Sequence, residues 1–503
     1  MEPALDLPLR LPPRGSRDRL GALHRQLRAA ILDGRLKPGL RLPATRALAE
    51  ALSVSRNTVL AAYDLLLSEG YLVARPRAGN FVADVLPRVP RKTRRGDGKH
   101  HLVAHWQSAL PAVDPTGSYR FDFRIGLPDK HKFPFQVWRR LSARALRALS
   151  KAPSAYAPPE GQPALREAIA RHVSFARAVA CKGDDIVVTS GAQQAFDLLG
   201  RILVTPGRTR VAIETPCYPP LRATLAAAGA EICPVPVDEE GLVVERMPAD
   251  VRIICVTPSH QFPLGMAMSA RRRAALLDFA QARGAVVIED DYDGEFRYAG
   301  RPLDALQTLG RADSVFYVGT FSKSLFPALR LGFVVTPAWA RATLIRAKQL
   351  TDWHGAVLAQ DTLAAFIAEG HLARHVRKMR RVYGERRAAL LEALARHCGD
   401  ALQPLPGETG LHLAAQLTGR VPAEDIIAHA ERAGIGLQTL RLGMAGRSIP
   451  NGLAFGYGMI QAAPIEQGIR RLAEIIHAQQ AAARSPLRPP ARAGAAAPRR
   501  RAP

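Results

Sequence analysis

Apolar residues at helical spacing open the chain. Leu20, Leu23, Leu27 and Ile31 fall on one face of a helix. Gly34 and the turn Lys37-Pro38-Gly39 stop it. Two shorter helices are predicted over 45–53 and 56–69, and Gly70 takes the left-handed cap position after the last. Tyr71-Leu72-Val73 and Phe81-Val82 flank the turn residues Arg75-Pro76-Arg77-Ala78-Gly79, which reads as a small β-hairpin. From about 121 to 340 the pattern changes to short apolar runs: Ile186–Thr189, Val211–Ile213, Glu231–Val235, Ile253–Val256, Ala285–Ile288, Val315–Val318 and Leu331–Val335. Helical stretches such as 191–204, 219–228 and 270–283 lie between several of them. Such alternation predicts an α/β domain on a mostly parallel seven-stranded sheet, covered on both faces. Residues 340–397 read as helical, and 400–478 as a small C-terminal α+β lobe.

Punctuation between these patterns sets the domain boundaries. A helical module with a hairpin is expected over 16–84, and a basic flexible linker over 85–118. The linker carries Pro87, Pro90, Arg91-Lys92-Thr93-Arg94-Arg95 and Gly96-Asp97-Gly98, where turn formers and like charges resist packing. The sheet domain is expected over 119–478, with a large lobe at about 150–345 and a small lobe at about 390–478. The Ala/Pro/Arg tail 479–503 holds six Arg and no acid and is expected to be disordered.

Composition sharpens the choice of partners. The 503 residues are 47% apolar, with formal net charge +26 and pI about 10.7. That balance favours polyanions, nucleic acid ahead of an anionic membrane. Only 10 of the 70 basic residues are Lys, so location carries more weight than the total. The five cysteines (Cys181, Cys217, Cys233, Cys255 and Cys398) are scattered, with no CxxC, which argues against a disulfide framework or a zinc site. The start, MEPALDLPLR, lacks the pattern of a secretory signal, and no apolar run is long enough to span a bilayer. A soluble, cytoplasmic protein without membrane partners is expected.

The N-terminal module has the layout of a DNA reader. Leu52-Ser53-Val54-Ser55 separates its second and third helices, and Ser55 is placed to N-cap the third. With Val59, Tyr63 and Leu66 buried, the first turn presents Arg56, Asn57 and Thr58 outward. Such a helix fits the major groove, Arg pairing with guanine and Asn with adenine. Arg75 and Arg77 at the hairpin tip can reach the neighbouring backbone or minor groove. The bland alternative is a protein-interaction module in which Arg56 is a solvated charge. The stretches LKPG, RLP, RALA, VSRNTV, EGYL and GNFV resemble the GntR family of winged helix-turn-helix regulators. That resemblance implies DNA contacts at Arg46, Arg56, Thr58 and around the wing glycine, Gly79. Ala44 stands where the family usually has Ser or Thr, and Asn80 where it usually has Thr.

In the sheet domain the chemistry starts from Lys323, within Gly319-Thr320-Phe321-Ser322-Lys323-Ser324. A Schiff base needs a primary amine, and only Lys323 and Lys348 lie between residues 183 and 377. Lys323 follows the run Val315–Val318, at a strand's carboxyl end, where ligands of open α/β sheets bind. Thr320, Ser322 and Arg330 nearby can hold a phosphate. A second cluster is Ile288-Glu289-Asp290-Asp291-Tyr292-Asp293. An acid there can keep a pyridine nitrogen protonated, and Tyr292 can meet the ring's phenolic oxygen. Metal binding is the alternative, but no His or Cys set accompanies it. Ser190-Gly191-Ala192-Gln193 forms a strand-to-helix turn suited to phosphate. Tyr218 can stack on a ring, and His260 or Gln261 can meet it.

The order of these five turns resembles fold-type I aminotransferases. SGAQQAFDLL, TPSHQFPLG, IEDDYDGEFRYAGRPL, YVGTFSKSLFPALRLG and EGHLARHVRKMRRVY resemble the MocR subfamily of GntR regulators, over roughly 17–478. In that subfamily a winged helix is fused to a pyridoxal-phosphate-dependent transferase fold. The resemblance implies pyridoxal 5'-phosphate, with Lys323 as the Schiff-base lysine, Asp290 at the pyridine nitrogen, Tyr292 at the ring oxygen and Tyr218 stacking. Ser190, Gly191, Ala192, Gln193, Thr320, Ser322 and Arg330 would surround the phosphate. It further implies a homodimer, Tyr156 reaching the other subunit's pocket, and a double-stranded operator read as two half-sites. Ala192, Leu264 and Ala328 depart from the family's Ser, small hydroxyl residue and Gly. No arginine stands in register over Ile449–Phe455 to bind a substrate carboxylate, and Arg447 is the nearest. A regulator whose effector is the cofactor or its amine adduct is therefore expected. The alternative is an active aminotransferase with an accessory DNA-binding domain.

Overall fold

The computed structural model describes residues 7–14, 16, 18–84, 103, 106, 118–300, 304–309, 314–442 and 449–484. The basic run 91–95, Arg447 and the tail beyond 484 lie outside them. The chain divides into two compact units, Met1–Gln107 and Ser108–Pro503.

Three helices and a hairpin make the first unit: α1 (Arg19–Leu32), α2 (Thr45–Ala51), α3 (Arg56–Ser68), β1 (Leu72–Arg75) and β2 (Gly79–Val82). Leu23, Leu27 and Ile31 of α1 pack on Val59, Tyr63 and Leu66 of α3 and on Leu72 and Val82 of the hairpin. Each buried side chain of this size contributes about 1.5–3 kcal/mol, enough for a module this small to hold its shape. Tyr63 is buried yet keeps a partner, its hydroxyl donating to Pro43 O at 3.0 Å. Ser55 caps α3 by accepting from Thr58 N at 3.1 Å. At α2 the cap residue is Ala44, which offers no side-chain bond. Strand pairing runs from Leu72 opposite Val82 to Arg75 opposite Gly79, with Arg77 in the tip at φ +59°.

In the second unit the sheet has eight strands, one more than the apolar runs predict. Their order is 186–189, 332–335, 315–320, 286–291, 253–256, 210–215, 231–238 and 241–242. The extra strand, Gly241–Leu242, is too short for a periodicity signal. It folds back antiparallel on Val237 and Asp238. The centre is parallel, whereas Gly332–Val335 runs antiparallel to both its neighbours. Strand alternation separates two faces. Ile288 packs with Phe196, Leu199 and Leu344 of the helices Ala192–Leu203 and Ala338–Asp352. Val287 packs on the opposite face with Leu276 and Ala280 of the helix Ala270–Arg283.

A second sheet of four antiparallel strands (402–404, 412–417, 452–456 and 438–439) forms the small lobe. It is not built from the C-terminal sequence alone. Phe121–Asp122 pairs in parallel with Ile435–Gly436, so the first strand of this unit belongs with the last lobe. The final helix runs to Arg484, so residues 479–484, expected to be irregular, continue it. Among the described residues no helix is long and apolar enough to cross a membrane.

Candidate cofactor pocket and DNA-reading surface

The pocket lies where the sheet's central strands end. Asp290 shares the face of Ile288, and Asp291 shares that of Val287, because neighbouring residues of one strand point to opposite sides. The two acids therefore have different fates. Asp291 Oδ2 receives Arg177 Nε at 2.6 Å and the Tyr317 hydroxyl at 2.6 Å on the far face, while its Oδ1 has no partner. Asp290 is 5% exposed, and its Oδ1 has no partner. Burial pushes its pKa up to about 8, reinforced by Asp291 and Asp293 and opposed by Lys323.

Lys323 follows the strand Val315–Thr320, and its Nζ donates to Gly126 O at 2.7 Å. Burial pushes the ammonium below the usual lysine range. Asp293 and Asp290 pull it back up, and Arg330 pushes it down. Gly126 sits at φ +79°, and a Cβ there would come within 2.9 Å of Nζ. The other candidate amine, Lys348, is 1% exposed and bonded to Asp352 at 2.7 and 2.9 Å. Lys323 is the one of the two that feels the charges of Asp290 and Arg330.

Arg330 adopts a left-handed conformation at φ +51° and donates to Ser190 O at 2.6 Å. Gly191, at φ +79°, passes so close that a Cβ would lie 3.0 Å from the guanidinium. Gly191 caps the helix Ala192–Leu203 without a side-chain bond, so its first amides remain open to an acceptor. Thr320 and Ser322 bond to each other, hydroxyl to hydroxyl, at 3.1 Å. Gln193 is exposed on the first turn of the helix, bonded to Thr224. Tyr218 precedes the helix Pro219–Ala227, 36% exposed, its ring edge-on to Phe262 at 5.5 Å.

Two expected ring contacts are placed differently. The Gln261 amide donates to Pro216 O at 2.7 Å and Phe262 O at 3.0 Å, and its oxygen accepts from Leu264 N at 3.2 Å. It therefore braces its own loop rather than presenting a free group to a ring. His260 is buried with Nδ1 3.0 Å from Asp293 and 3.0 Å from the Tyr292 hydroxyl. Its Nδ1 is thus spent on Asp293 and Tyr292, while its buried Nε2 has no hydrogen-bond partner. His260, Asp293 and His412 come within 4.8 Å of one another. However, Asp293 occupies His260 Nδ1, and His412 Nε2 lies 3.1 Å from Pro263 O, so the cluster is a hydrogen-bonded set.

Sequence reasoning missed Gly126, Asp293, Arg177 and Glu214. Glu214 accepts from the Thr257 hydroxyl at 2.6 Å, and burial pushes its pKa to about 7. As an acid ending an apolar strand it carried the same signal as Asp290. Gly126 carried none, since 197 residues separate it from Lys323. An aldehyde coenzyme with a phosphate and a basic ring nitrogen fits these residues. The orphaned Asp290 oxygen, the amine beside it and the glycine turn under Arg330 each match one end of such a molecule.

On the first unit, Arg46, Arg56, Asn57, Arg75, Arg77 and Gly79 are exposed. The Ser55 and Thr58 hydroxyls lie 2.8 Å apart, so both serve the cap. Arg75 lies over the Phe81 ring at 4.5 Å and 3.7 Å from Asp84, anchored within the wing. Arg56 and Asn57 extend freely from the first turn of α3.

The family of bacterial regulatory proteins, gntR family, matches residues 21–82, and aminotransferase class I and II matches 122–432. The chain is 37% identical over 470 residues to the probable rhizopine catabolism regulatory protein MocR of Rhizobium meliloti, covering 92% of this chain and 95% of that one. It is 35% identical over 479 residues to the HTH-type transcriptional regulator TauR of Rhodobacter capsulatus, covering 93% and 98%. Among solved structures, the kynurenine aminotransferase of Pyrococcus horikoshii, in complex with PMP, superposes with TM-score 0.70 at 26% identity, over 76% of this chain and 98% of that one. A GntR head ahead of a fold-type I aminotransferase body defines a class of transcriptional regulators. The chain belongs to that class as a member of the MocR-type family.

Proposed function

We propose that this regulator binds operator DNA through its head and senses pyridoxal 5'-phosphate, or its adduct with a small amine or amino acid, through its body. The observation that carries the reading is the set of groups where the sheet's strands end: the Lys323 amine on Gly126 O, the orphaned Asp290 oxygen, and Arg330 over the Ser190–Gly191 turn. Bound there, the coenzyme supplies an aldehyde that a primary amine can capture. Lys323 offers the amine, its pKa already lowered by burial. Asp290 accepts from the ring nitrogen, Tyr292 donates to the ring oxygen, and the His260–Asp293 pair orients Tyr292. Tyr218 covers the ring. Ser190, Gly191, Ala192, Gln193, Thr320, Ser322 and Arg330 hold the phosphate.

In the head, Arg46, Arg56, Asn57 and Thr58 meet the major groove, and Arg75, Arg77 and Gly79 the flanking backbone. A homodimer places two heads on two half-sites and brings the exposed Tyr156 towards the partner's pocket. These assignments describe a cytoplasmic sensor rather than a turnover enzyme. The strand Gly452–Gly456 carries no arginine for a substrate carboxylate. A Cβ on Gly452 would lie 2.3 Å from Ala415 O, so a side chain does not fit there.

Operator binding by the full chain, with and without cofactor and amine at fixed salt, tests the reading. A shift in affinity on adding ligand supports it. Sequence-independent binding at every salt concentration, or rapid multiple-turnover transamination, overturns it.

A further inference from the structure

Lys348 is the most buried ammonium of the body that the pocket does not use. It lies on the helix Ala338–Asp352, and Asp352, one turn on, is its bonded acid. A charge so far from water persists only with such a partner. The contacts continue inward. Asp352 Oδ2 accepts Gln194 Nε2 at 2.7 Å, and Gln194 Oε1 accepts Ser190 N–H at 2.7 Å. Only one orientation of the Gln194 amide satisfies both neighbours, because a carboxylate accepts and a backbone N–H donates. Ser190 is thus gripped at both its peptide groups, its N–H by Gln194 and its C=O by Arg330 at 2.6 Å.

A second observation lies at the outer end. Trp353 holds φ +62° and ψ −73°, and His354 N donates to Asp352 O at 2.7 Å. This is a three-residue γ-turn of the rare strained hand. Strain of that kind persists only where surroundings over-determine it, and it clusters at ligand clamps. Here the Trp353 ring lies on Tyr156 at 4.8 Å, and the turn fixes where the helix ends and Asp352 points.

We propose that Lys348, Asp352 and Gln194 form a positioning relay that sets the turn Ser190–Ala192 for the phosphate of the cofactor. The proposal rests on the cofactor reading above. None of the three touches the phosphate: Gln194 aligns Ser190, Asp352 aligns Gln194, and Lys348 holds Asp352 in place. The relay therefore concerns only one end of the ligand.

The full-length chain can be titrated with pyridoxal phosphate and with pyridoxal, which shares the aldehyde and ring but lacks the phosphate, following the visible absorbance. Gln194→Leu and Asp352→Ala are expected to weaken the phosphate ester about tenfold, the loss of one charge-assisted contact, and to leave pyridoxal unchanged. The double variant is expected to be no worse than Gln194→Leu alone, since both break one chain of contacts. Because Lys348→Met removes a buried charge partner, Gln194→Leu at a half-buried site is the safer probe of the fold. Equal weakening of both ligands would mean general damage and would overturn the relay, as would an unchanged ester affinity. A wild-type chain that takes up neither ligand overturns the cofactor reading and the relay together. A relay failure alone appears as variants that match a competent wild type.

Discussion

The head and the body solve opposite problems with the same twenty side chains. In the head, the groups proposed to meet DNA lie mostly at the surface, on α2 (Arg46), on the first turn of α3 (Arg56 to Thr58) and on the wing around Arg77. In the body they are drawn from segments as distant as Gly126 and Arg330, with Asp290 buried and Tyr218, Gln193 and Arg330 at the rim, and burial displaces the acid–base behaviour of Asp290 and Lys323. A polyanion can be met at a solvated surface, where charge is cheap to hold. A small aldehyde must be enclosed, and enclosure is what moves Asp290 and Lys323.

The sharpest break in this comparison is Lys323→Ala. Removing the amine is expected to abolish the coloured, borohydride-trappable adduct entirely, while DNA affinity without ligand stays as in the wild type. Absorbance and mobility shift on one preparation check both halves. If the adduct persists, another residue holds the aldehyde. Next comes Arg56→Ala. Discrimination at one base pair is expected to fall by about 1–3 kcal/mol, with affinity for mismatched duplexes little changed. Competition between cognate and substituted duplexes measures it, and a uniform loss would reassign Arg56 to phosphate.

The pH dependence is a smaller effect. The Asp290 pKa rises from 3.8 to about 8 on folding. Its stabilising contribution is full below 3.8 and is lost as pH climbs through about 8. Glu214, at about 7, acts in the same sense. His375 and His412, lowered to about 4 and about 3, act oppositely, losing stability as pH falls below 6.5. With the histidine contribution complete above pH 6.5, melting of the cofactor-free chain is therefore expected to weaken from about pH 6.5 to 8 and to level off above that, and Asp290→Asn to flatten that slope. An unchanged slope in the variant would move the proton elsewhere. Smallest is Ala44→Ser, which gives α2 the cap that Ser55 gives α3. A gain of about 0.5–1 kcal/mol in stability of the head is expected by denaturant titration.

How much of this was legible in the sequence follows the same division. The head was read nearly residue by residue, because helix period, cap and turn chemistry are local. The strand-end signals also picked out Lys323, Asp290, Tyr292 and Arg330. The resemblance named Asp290 rather than Asp291, and strand alternation sets the two on opposite faces. What escaped were partners that only tertiary folding supplies: Gly126 for Lys323, Arg177 for Asp291, and Asp293 for His260. Gln261 was misplaced for a related reason. A polar side chain in a strand-end turn looks alike whether it faces a ligand or satisfies its own backbone. The eighth strand and the parallel pairing of Phe121–Asp122 escaped because two residues cannot show a period.

That last pairing bears on how the lobes of the body are tied together. Phe121–Asp122 is stitched to Ile435–Gly436, and four residues beyond Asp122 the backbone oxygen of Gly126 holds the Lys323 amine. The stretch 121–126 thus holds the small lobe at one end and the Lys323 amine at the other. A ligand that captured that amine would free Gly126 O and leave this strand with one tie fewer.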